Sequence, residues 1–288
     1  MAKRLILAIN PGSTSTKFSL FEEENLIFEK NLRHSTEELK YFEKITDQFH
    51  FRKGLIMNEL SERKIDLKRI TAVVGRGGLV KPIESGIYRV NLKMKEDLRT
   101  GALGQHASNL GGLIADDIAS SLPVASAYIV DPVVVDELHE IARISGHPEI
   151  ERRSIFHALN QKAVARAYAS SVNIKYEDLN LIIAHMGGGV SVGAHQKGRV
   201  IDVNNALDGD GPFSPERSGG LPSGQLVDLC FSGKFSKNEL KLMITGKGGR
   251  VAYLGTNNFI EGCNKPDSGD QNALLLRKAV SYQIGKER

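Results

Sequence analysis

Apolar and polar positions along this chain follow two different periods, and the points where the period changes mark its elements. Leu5-Ile6-Leu7-Ala8-Ile9 is a short apolar run that breaks at Asn10-Pro11-Gly12-Ser13-Thr14-Ser15-Thr16-Lys17 and resumes as Phe18-Ser19-Leu20-Phe21. That pattern predicts a strand, a polar turn and a returning strand. Ser35-Thr36-Glu37-Glu38 has the spacing of a capping box, with Leu39, Phe42 and Ile45 behind it at helical intervals. Leu55, Ile56, Leu60 and Ile65 outline a second amphipathic segment, and Ile70-Thr71-Ala72-Val73-Val74 reads as a buried strand that stops in Gly75-Arg76-Gly77-Gly78. Residues 103 to 121 predict a helix with Ala107, Leu110, Ile114 and Ile118 on one face and His106 and Asn109 near its start. Leu122 to Val130 predicts an apolar strand that delivers Asp131-Pro132 at its carboxyl end.

The charged, loop-like interval Gly146 to Arg153 divides the pattern into a first domain, residues 1–150, and a second, residues 151–288. Ile155-Phe156-His157 enters a helix bearing the apolar residues Leu159, Ala163, Val164 and Ala167. Leu181 to His195 then repeats the opening motif: a strand, a glycine turn with a hydroxyl (His185-Met186-Gly187-Gly188-Gly189-Val190-Ser191), and a strand, with Arg199 to Val203 as a third. Two such hairpins, one per half, predict a duplicated α/β domain with phosphate loops on either side of a cleft. Asn204 to Pro212 and Ser214 to Gly220 read as polar loops. Ser223 to Phe231 predicts a short helix stopped by Gly233, and Ser236-Lys237-Asn238-Glu239 caps the next. Gly246 to Arg250 has neither the Walker A nor the Rossmann spacing and reads as a loop, and an amphipathic helix climbs from Gln271.

Composition narrows the class. With 288 residues and 41% hydrophobic content the chain is long enough for two cores, since one core rarely grows past about 250 residues. Its 38 basic and 34 acidic residues are interspersed, so nothing calls for a nucleic acid or a membrane as partner. Cys230 and Cys263 lack metal-ligand spacing and read as reduced thiols. Met1-Ala2-Lys3-Arg4 precedes too short an apolar run for a secretory signal, and no stretch approaches the ~18 apolar residues of a membrane span. A cytoplasmic protein is expected.

The candidate chemistry sits in the turns. Backbone N–H groups, hydroxyls and the Lys17 ammonium around residues 10–17 suit an anion such as phosphate, although a Ser/Thr-rich surface turn has the same composition. Gly75 to Gly78 lets backbone approach a ligand and carries Arg76 there; the alternative is a plain turn with a solvated arginine. Asp131 stands where open α/β sheets keep their chemistry, or serves as a turn or capping aspartate. His157, near a positive helix end, suits an anion, or is simply packed. Three consecutive glycines, Gly187 to Gly189, would weaken an ordinary strand and point to a ligand.

Taken together, Asn-Pro-Gly-Ser-Thr-Ser-Thr-Lys near the N-terminus, Phe-His before a helix, His-Met-Gly-Gly-Gly-Val-Ser, and Pro-Glu-Arg-Ser-Gly-Gly-Leu-Pro resemble the acetate kinase family, and within it the butyrate and branched-chain acid kinases. Pro11 and Ala158-Leu159-Asn160-Gln161 separate this chain from the acetate kinases. The resemblance spans Met1 to Arg288. It implies two duplicated actin-like (ribonuclease H-like) domains around a nucleotide cleft, ATP/ADP and Mg²⁺, transfer of the γ-phosphoryl to a small carboxylic acid, and a homodimer or higher homo-oligomer. It casts Asn10, Ser13, Ser15 and Lys17 as a first phosphate motif, and His185, Gly187, Gly188, Gly189 and Ser191 as a second. Asp131, His157 and Arg217 resemble the catalytic aspartate, transition-state histidine and active-site arginine, Arg76 a further arginine for catalysis or substrate, and His106 and Asn109 a substrate-side segment. Arg76 stands a few residues after the position acetate kinases use, and Gln161 takes the place of a second histidine. The family's adenosine-binding motif has no counterpart within the 288 residues, so the second domain is expected to be incomplete, and no Mg²⁺ ligand is assigned. A noncatalytic actin-like ATP-binding module and an inactive kinase fragment are the other readings of the same pattern.

Overall fold

A computed structural model describes residues 3–256 and 271–287. The chain divides into two compact units, Met1–Val135 and Asp136–Arg288, so the charged interval 146–153 lies inside the second. Cys263 lies outside the described residues, and Cys230 is exposed. Among the described residues no helix is long and apolar enough to cross a membrane.

The first unit is built on a six-stranded sheet. Its strands are β1 (Leu5–Pro11), β2 (Ser15–Glu22), β3 (Asn25–Arg33), β4 (Ile70–Arg76), β5 (Ile87–Arg89) and β6 (Ser126–Val130), in the order β3-β2-β1-β4-β6-β5. Alternation drives β1 and β2: Leu5, Leu7 and Ile9 on one strand and Thr16, Phe18 and Leu20 on the other are buried, as period-2 side chains on one sheet face must be. β1 pairs with β2 antiparallel in the expected hairpin, and β1, β4 and β6 run parallel through the middle.

The capping box forms, with Ser35 N–H on the Glu38 carboxylate at 2.7 Å. The helix behind it, α1 (Thr36–Leu39), ends after four residues, because Ile45 instead opens a separate 3₁₀ turn, Ile45–Gln48. Helix α2 (Phe49–Glu62) buries Ile56 and Leu60, whereas Ile65 lies past its end. Helix α3 (Leu92–Thr100) is capped by Asn91, whose side chain accepts from the Met94 N–H. Helix α4 (Asn109–Ser120) buries Leu110, Ile114 and Ile118 in the unit's core. It begins six residues later than the periodicity predicts, since residues 101–108 are spent on turns around Gly101 and Gly104 at φ 65° and 125°.

The second unit carries a three-stranded antiparallel sheet, β7 (Asn180–Met186), β8 (Val190–Gln196) and β9 (Arg199–Val203), as the pattern predicts. Its helices are α5 (Glu140–Arg143), α6 (Ala158–Ser171), α7 (Ser223–Phe231), α8 (Lys237–Thr245), α9 (Gly249–Leu254) and α10 (Gln271–Lys286). α8 opens on the expected box, Ser236 N–H to Glu239 at 2.7 Å.

α6 buries Ala158, Gln161, Lys162, Ala165 and Ala169, while Leu159, Ala163, Val164 and Ala167 face outward. The two polar residues on the buried stripe, Gln161 and Lys162, both find partners inside. The stretch 246–250 is only partly a loop, because α9 starts at Gly249, whose φ of 58° lets its backbone meet the Ser214 carbonyl where a Cβ would collide.

Candidate active site

In the first unit three parallel strands converge on one edge. Ile9 pairs with Gly75, Gly75 with Ile129, and Arg76 with Val130, so Asn10, Arg76 and Asp131 leave neighbouring strands at their carboxyl ends. This is the end at which open α/β sheets hold ligands. Arg76 Nη1 donates to Asn10 Oδ1 at 3.3 Å, and burial draws its guanidinium below the ordinary arginine value. β4 reaches this position because Gly75 and Gly111 lie against each other: a Cβ on either would strike the backbone of α4 or of Arg76. Asp131 is buried and holds a left-handed φ of 36°, a conformation that costs roughly 1–3 kcal/mol in a non-glycine residue and is met chiefly at functional positions. Its Oδ1 accepts from Ser85 Oγ at 2.6 Å and from the Gly86 N–H at 2.9 Å.

The turn between β1 and β2 is braced from within by Arg52 of α2, a fully buried arginine that sequence periodicity does not single out. Its guanidinium donates to the carbonyls of Gly12 at 2.8 Å, Ser13 at 3.1 Å and Ser15 at 2.7 Å, and to Thr16 Oγ1 at 3.0 Å. Gln48 Oε1 takes two further bonds at 3.0 and 2.8 Å. Burial lowers the Arg52 pKa to about 10, so it stays charged at neutral pH. The Thr14 carbonyl accepts from the His34 N–H at 2.9 Å. With these carbonyls turned inward, the N–H groups of exposed Ser13 and Thr14 have no protein acceptor among the described residues, which is how a backbone nest presents itself to an anion. Lys17 projects from β2 and pairs with Glu29 at 2.9 Å, drawing that carboxylate below its usual range.

His106 and Asn109 are used locally. Asn109 is fully buried; its Oδ1 accepts the Leu79 N–H at 2.9 Å and its Nδ2 donates to the Gly104 carbonyl at 3.0 Å. That makes it a tie for the loop before α4. His106 Nδ1 accepts the Ser108 N–H at 3.2 Å.

In the second unit His157 is the residue before α6, and its ring stacks on His185 of β7 with centroids 3.8 Å apart and planes 11° from parallel. His157 Nδ1 lies 2.9 Å from Ser191 Oγ, and His185 Nδ1 lies 2.9 Å from Asn160 Oδ1. Arg217 joins them at the glycine turn. A Cβ at Gly189 would meet Arg217 Nη1 and lie 3.2 Å from His157 Cε1, so the arginine in its present position depends on the missing side chain. Ser214 places the arginine's loop: its Oγ donates to the Gly188 carbonyl at 2.6 Å and accepts the Arg217 N–H at 3.0 Å. Arg217 Nη1 also donates to the Ala206 carbonyl. Ser191, expected to offer its hydroxyl to phosphate, is fully buried, with Gln161 Nε2 and His157 Nδ1 each 2.9 Å from its Oγ.

A tightly held Mg²⁺ bound through a nucleotide needs one or two carboxylates and leaves the rest of its shell to phosphate and water. Among the described residues no group of three or more His, Cys, Asp or Glu side chains gathers as a dedicated cage, and Asp131 is the carboxylate the parallel strands deliver. That donor set fits a metal carried by its substrate.

The acetokinase family model matches residues 139–278. Butyrate kinase 1 of Clostridium acetobutylicum is 60% identical over 282 residues, 98% of this chain and 79% of that protein. A probable butyrate kinase of Clostridium botulinum is 55% identical over 281 residues, again 98% of this chain and 79% of that protein. The fold matches the crystal structure of Porphyromonas gingivalis acetate kinase with a TM-score of 0.76 at 20% identity, covering 99% of this chain and 78% of that one. A propionate kinase from Francisella tularensis also gives 0.76, at 19% identity. The architecture is therefore that of the acetate and propionate kinases, the actin-like ATPase fold. On 60% identity across nearly its whole length, the chain belongs to the acetokinase family.

Proposed function

We propose that this chain is a carboxylate kinase that moves the γ-phosphoryl of ATP to butyrate or a related short or branched acid, giving an acyl phosphate and ADP, and that it runs in both directions. The observation that carries the reading is the conjunction of 60% identity to a butyrate kinase with His157 and Arg217 both directed at Gly189, where an added Cβ would meet each of them. A short carboxylic acid has a pKa near 4 and is ionised at neutral pH, so its oxygen attacks the γ-phosphorus without a general base while the bond from that phosphorus to the β–γ bridging oxygen breaks and ADP leaves. The protein's task is then to assemble anions and stabilise the transferring group by position and charge.

Arg217, His157 and His185 are the donors proposed for the transferring phosphoryl, Ser13 and Thr14 N–H with Asn10, Ser15 and Lys17 the nucleotide phosphate contacts, and Gly187 to Gly189 the second phosphate turn. Arg76, with His106 beside the same unit's loops, is proposed to receive the acid's carboxylate, a fork suited to bidentate pairing. Asp131, fixed by Ser85 and Gly86, is the carboxylate that would hold Mg²⁺ or its water. Bound there, the metal would neutralise phosphate charge. The reading also carries a cytoplasmic homodimer or higher homo-oligomer, which sedimentation velocity checks.

Hydroxamate trapping tests the activity. Acyl hydroxamate from butyrate, ATP and Mg²⁺ is expected, with straight and branched acids of other lengths ranked in the same assay. ATP hydrolysis without acyl phosphate would identify an actin-like nucleotide-binding module that is not a carboxylate kinase.

A further inference from the structure

Behind His157 runs a buried hydrogen-bonded chain that the reaction does not by itself require. Tyr176 Oη lies 2.5 Å from His195 Nδ1, His195 Nε2 lies 2.9 Å from Gln161 Oε1, Gln161 Nε2 lies 2.9 Å from Ser191 Oγ, and Ser191 Oγ lies 2.9 Å from His157 Nδ1. Tyr176, His195, Gln161 and Ser191 are all buried. The strand register places the links: His185 pairs with Ser191, Ile183 with Gly193 and Leu181 with His195, so Ser191, Gly193 and His195 share one face of β8. Gly193 leaves the room that Gln161 fills, since a Cβ there would collide with Oε1.

The chain has a direction, and one contact sets it. Gln161 Nε2 also donates to the Ser191 backbone carbonyl at 3.0 Å, and a carbonyl only accepts, so the amide nitrogen must face β8 and the amide oxygen must face His195. His195 Nε2 therefore carries a proton. Its Nδ1 then accepts the tyrosine hydroxyl, which requires a neutral ring; burial, with help from the Lys162 ammonium, lowers the His195 pKa to about 4. At the other end Ser191 Oγ accepts from Gln161, which leaves the serine hydrogen for His157 Nδ1. The stack on His185 at 3.8 Å disfavours only the state in which both rings are charged, because like charges at that distance repel.

We propose that Tyr176, His195, Gln161 and Ser191 form a directional relay that holds His157 as the neutral tautomer with its proton on Nε2, making it a hydrogen-bond donor toward the transferring phosphoryl. The four are positioning residues, and the donor role rests on the function proposed above. Protonation at Nδ1 would oblige Ser191 to find another acceptor for its own hydrogen, so the relay resists conversion of His157 to the cation.

The test is the tautomeric state, read in long-range ¹H–¹⁵N spectra of the ¹⁵N-histidine-labelled 288-residue chain at neutral pH, with His157 assigned from the spectrum of His157→Asn. The expected result is an unprotonated Nδ1 and a protonated Nε2. Gln161→Glu replaces the donor by a group that only accepts; the serine hydrogen then turns to the carboxylate, and the His157 proton is expected to appear at Nδ1. Ser191→Ala serves where that variant fails to fold, and is expected to replace the single Nε2–H form by a mixture. A proton on Nδ1 in the unsubstituted protein, or an unchanged Nε2–H form in the folded variant, overturns the relay. No substrate is needed: a chain that shows the tautomer switch but makes no acyl phosphate keeps the relay and loses the proposed function, and the converse result separates them the other way.

Discussion

In the first unit the turn between β1 and β2 is held through its backbone, with the Arg52 guanidinium taking the carbonyls of Gly12, Ser13 and Ser15. In the second the turn between β7 and β8 is held through side chains, with Ser214 on Gly188, Arg217 against Gly189, and a neutral chain from Tyr176 to His157. The two hairpins share a strand-turn-strand pattern and differ in what braces them. A buried cation behind the first turn aims peptide N–H groups outward and suits an anion by its own charge. A neutral relay behind the second adds no charge and instead decides which ring nitrogen carries a proton. The first brace is ionic and the second neutral.

Substitutions can break this contrast at several strengths. Arg52→Met is expected to have the largest effect. It strands the buried Gln48 Oε1 and the part-buried carbonyls of Gly12, Ser13 and Ser15, at about 1–3 kcal/mol for an acceptor left dry, so a loss of at least ~4 kcal/mol in urea unfolding is expected, along with loss of ordered turn amides in hydrogen exchange. No comparable loss is expected from Tyr176→Phe, where one neutral bond is removed. Next comes pH. The folded pKa of His195 is depressed to about 4, below the ~6.5 of an unfolded histidine, so the unfolded chain binds more protons between these values. The stabilising contribution is therefore complete above about pH 6.5 and is lost on acidification toward pH 4, on the order of 3 kcal/mol. His34, lowered by burial and by Arg52, shifts the balance in the same direction. His195→Gln should flatten the acid limb of stability measured by urea unfolding across that range.

Arg217→Ala and His157→Ala are each expected to lower kcat by at least ~10²-fold, as loss of a transition-state donor does; near-normal turnover in the hydroxamate assay would remove that residue from the chemistry. Gly189→Ala pushes Arg217 and His157 apart and is expected to cut kcat about tenfold with a smaller change in unfolding free energy, about 1 kcal/mol, as for modest overpacking. Lys17→Met is the smallest: its pair with Glu29 is half exposed, so no measurable change in stability is expected, and any effect should appear in the KM for ATP.

Both hairpins, the strand carrying Arg76, the strand delivering Asp131, the Ser236 cap and the placement of His157 ahead of α6 were legible from residue order alone, because each depends on a local period or a short spacing. The face of α6 was not. Leu159 and Val164 suggested an apolar stripe, yet the helix turns Gln161 and Lys162 inward, where Lys162 pairs with Glu137 at 2.8 Å and donates to the Gly198 carbonyl at 2.9 Å. Hydrophobic periodicity has no means of seeing a polar residue whose partners lie on another element. Asn109 was legible as a special residue but not as a loop tie, since its partners, Leu79 and Gly104, are both made by the fold.

By itself, then, the order of residues determined where strands break into phosphate-type turns and which histidine, aspartate and arginine stand near them, since those features are written in alternation, glycine placement and capping. Tertiary structure alone decided what lies behind the turns. Arg52 meets a loop some 40 residues away, and Gln161 meets Ser191 across 30. Such bonds depend on the register of strands and the rotation of helices, quantities that a one-dimensional pattern constrains only after the core has packed.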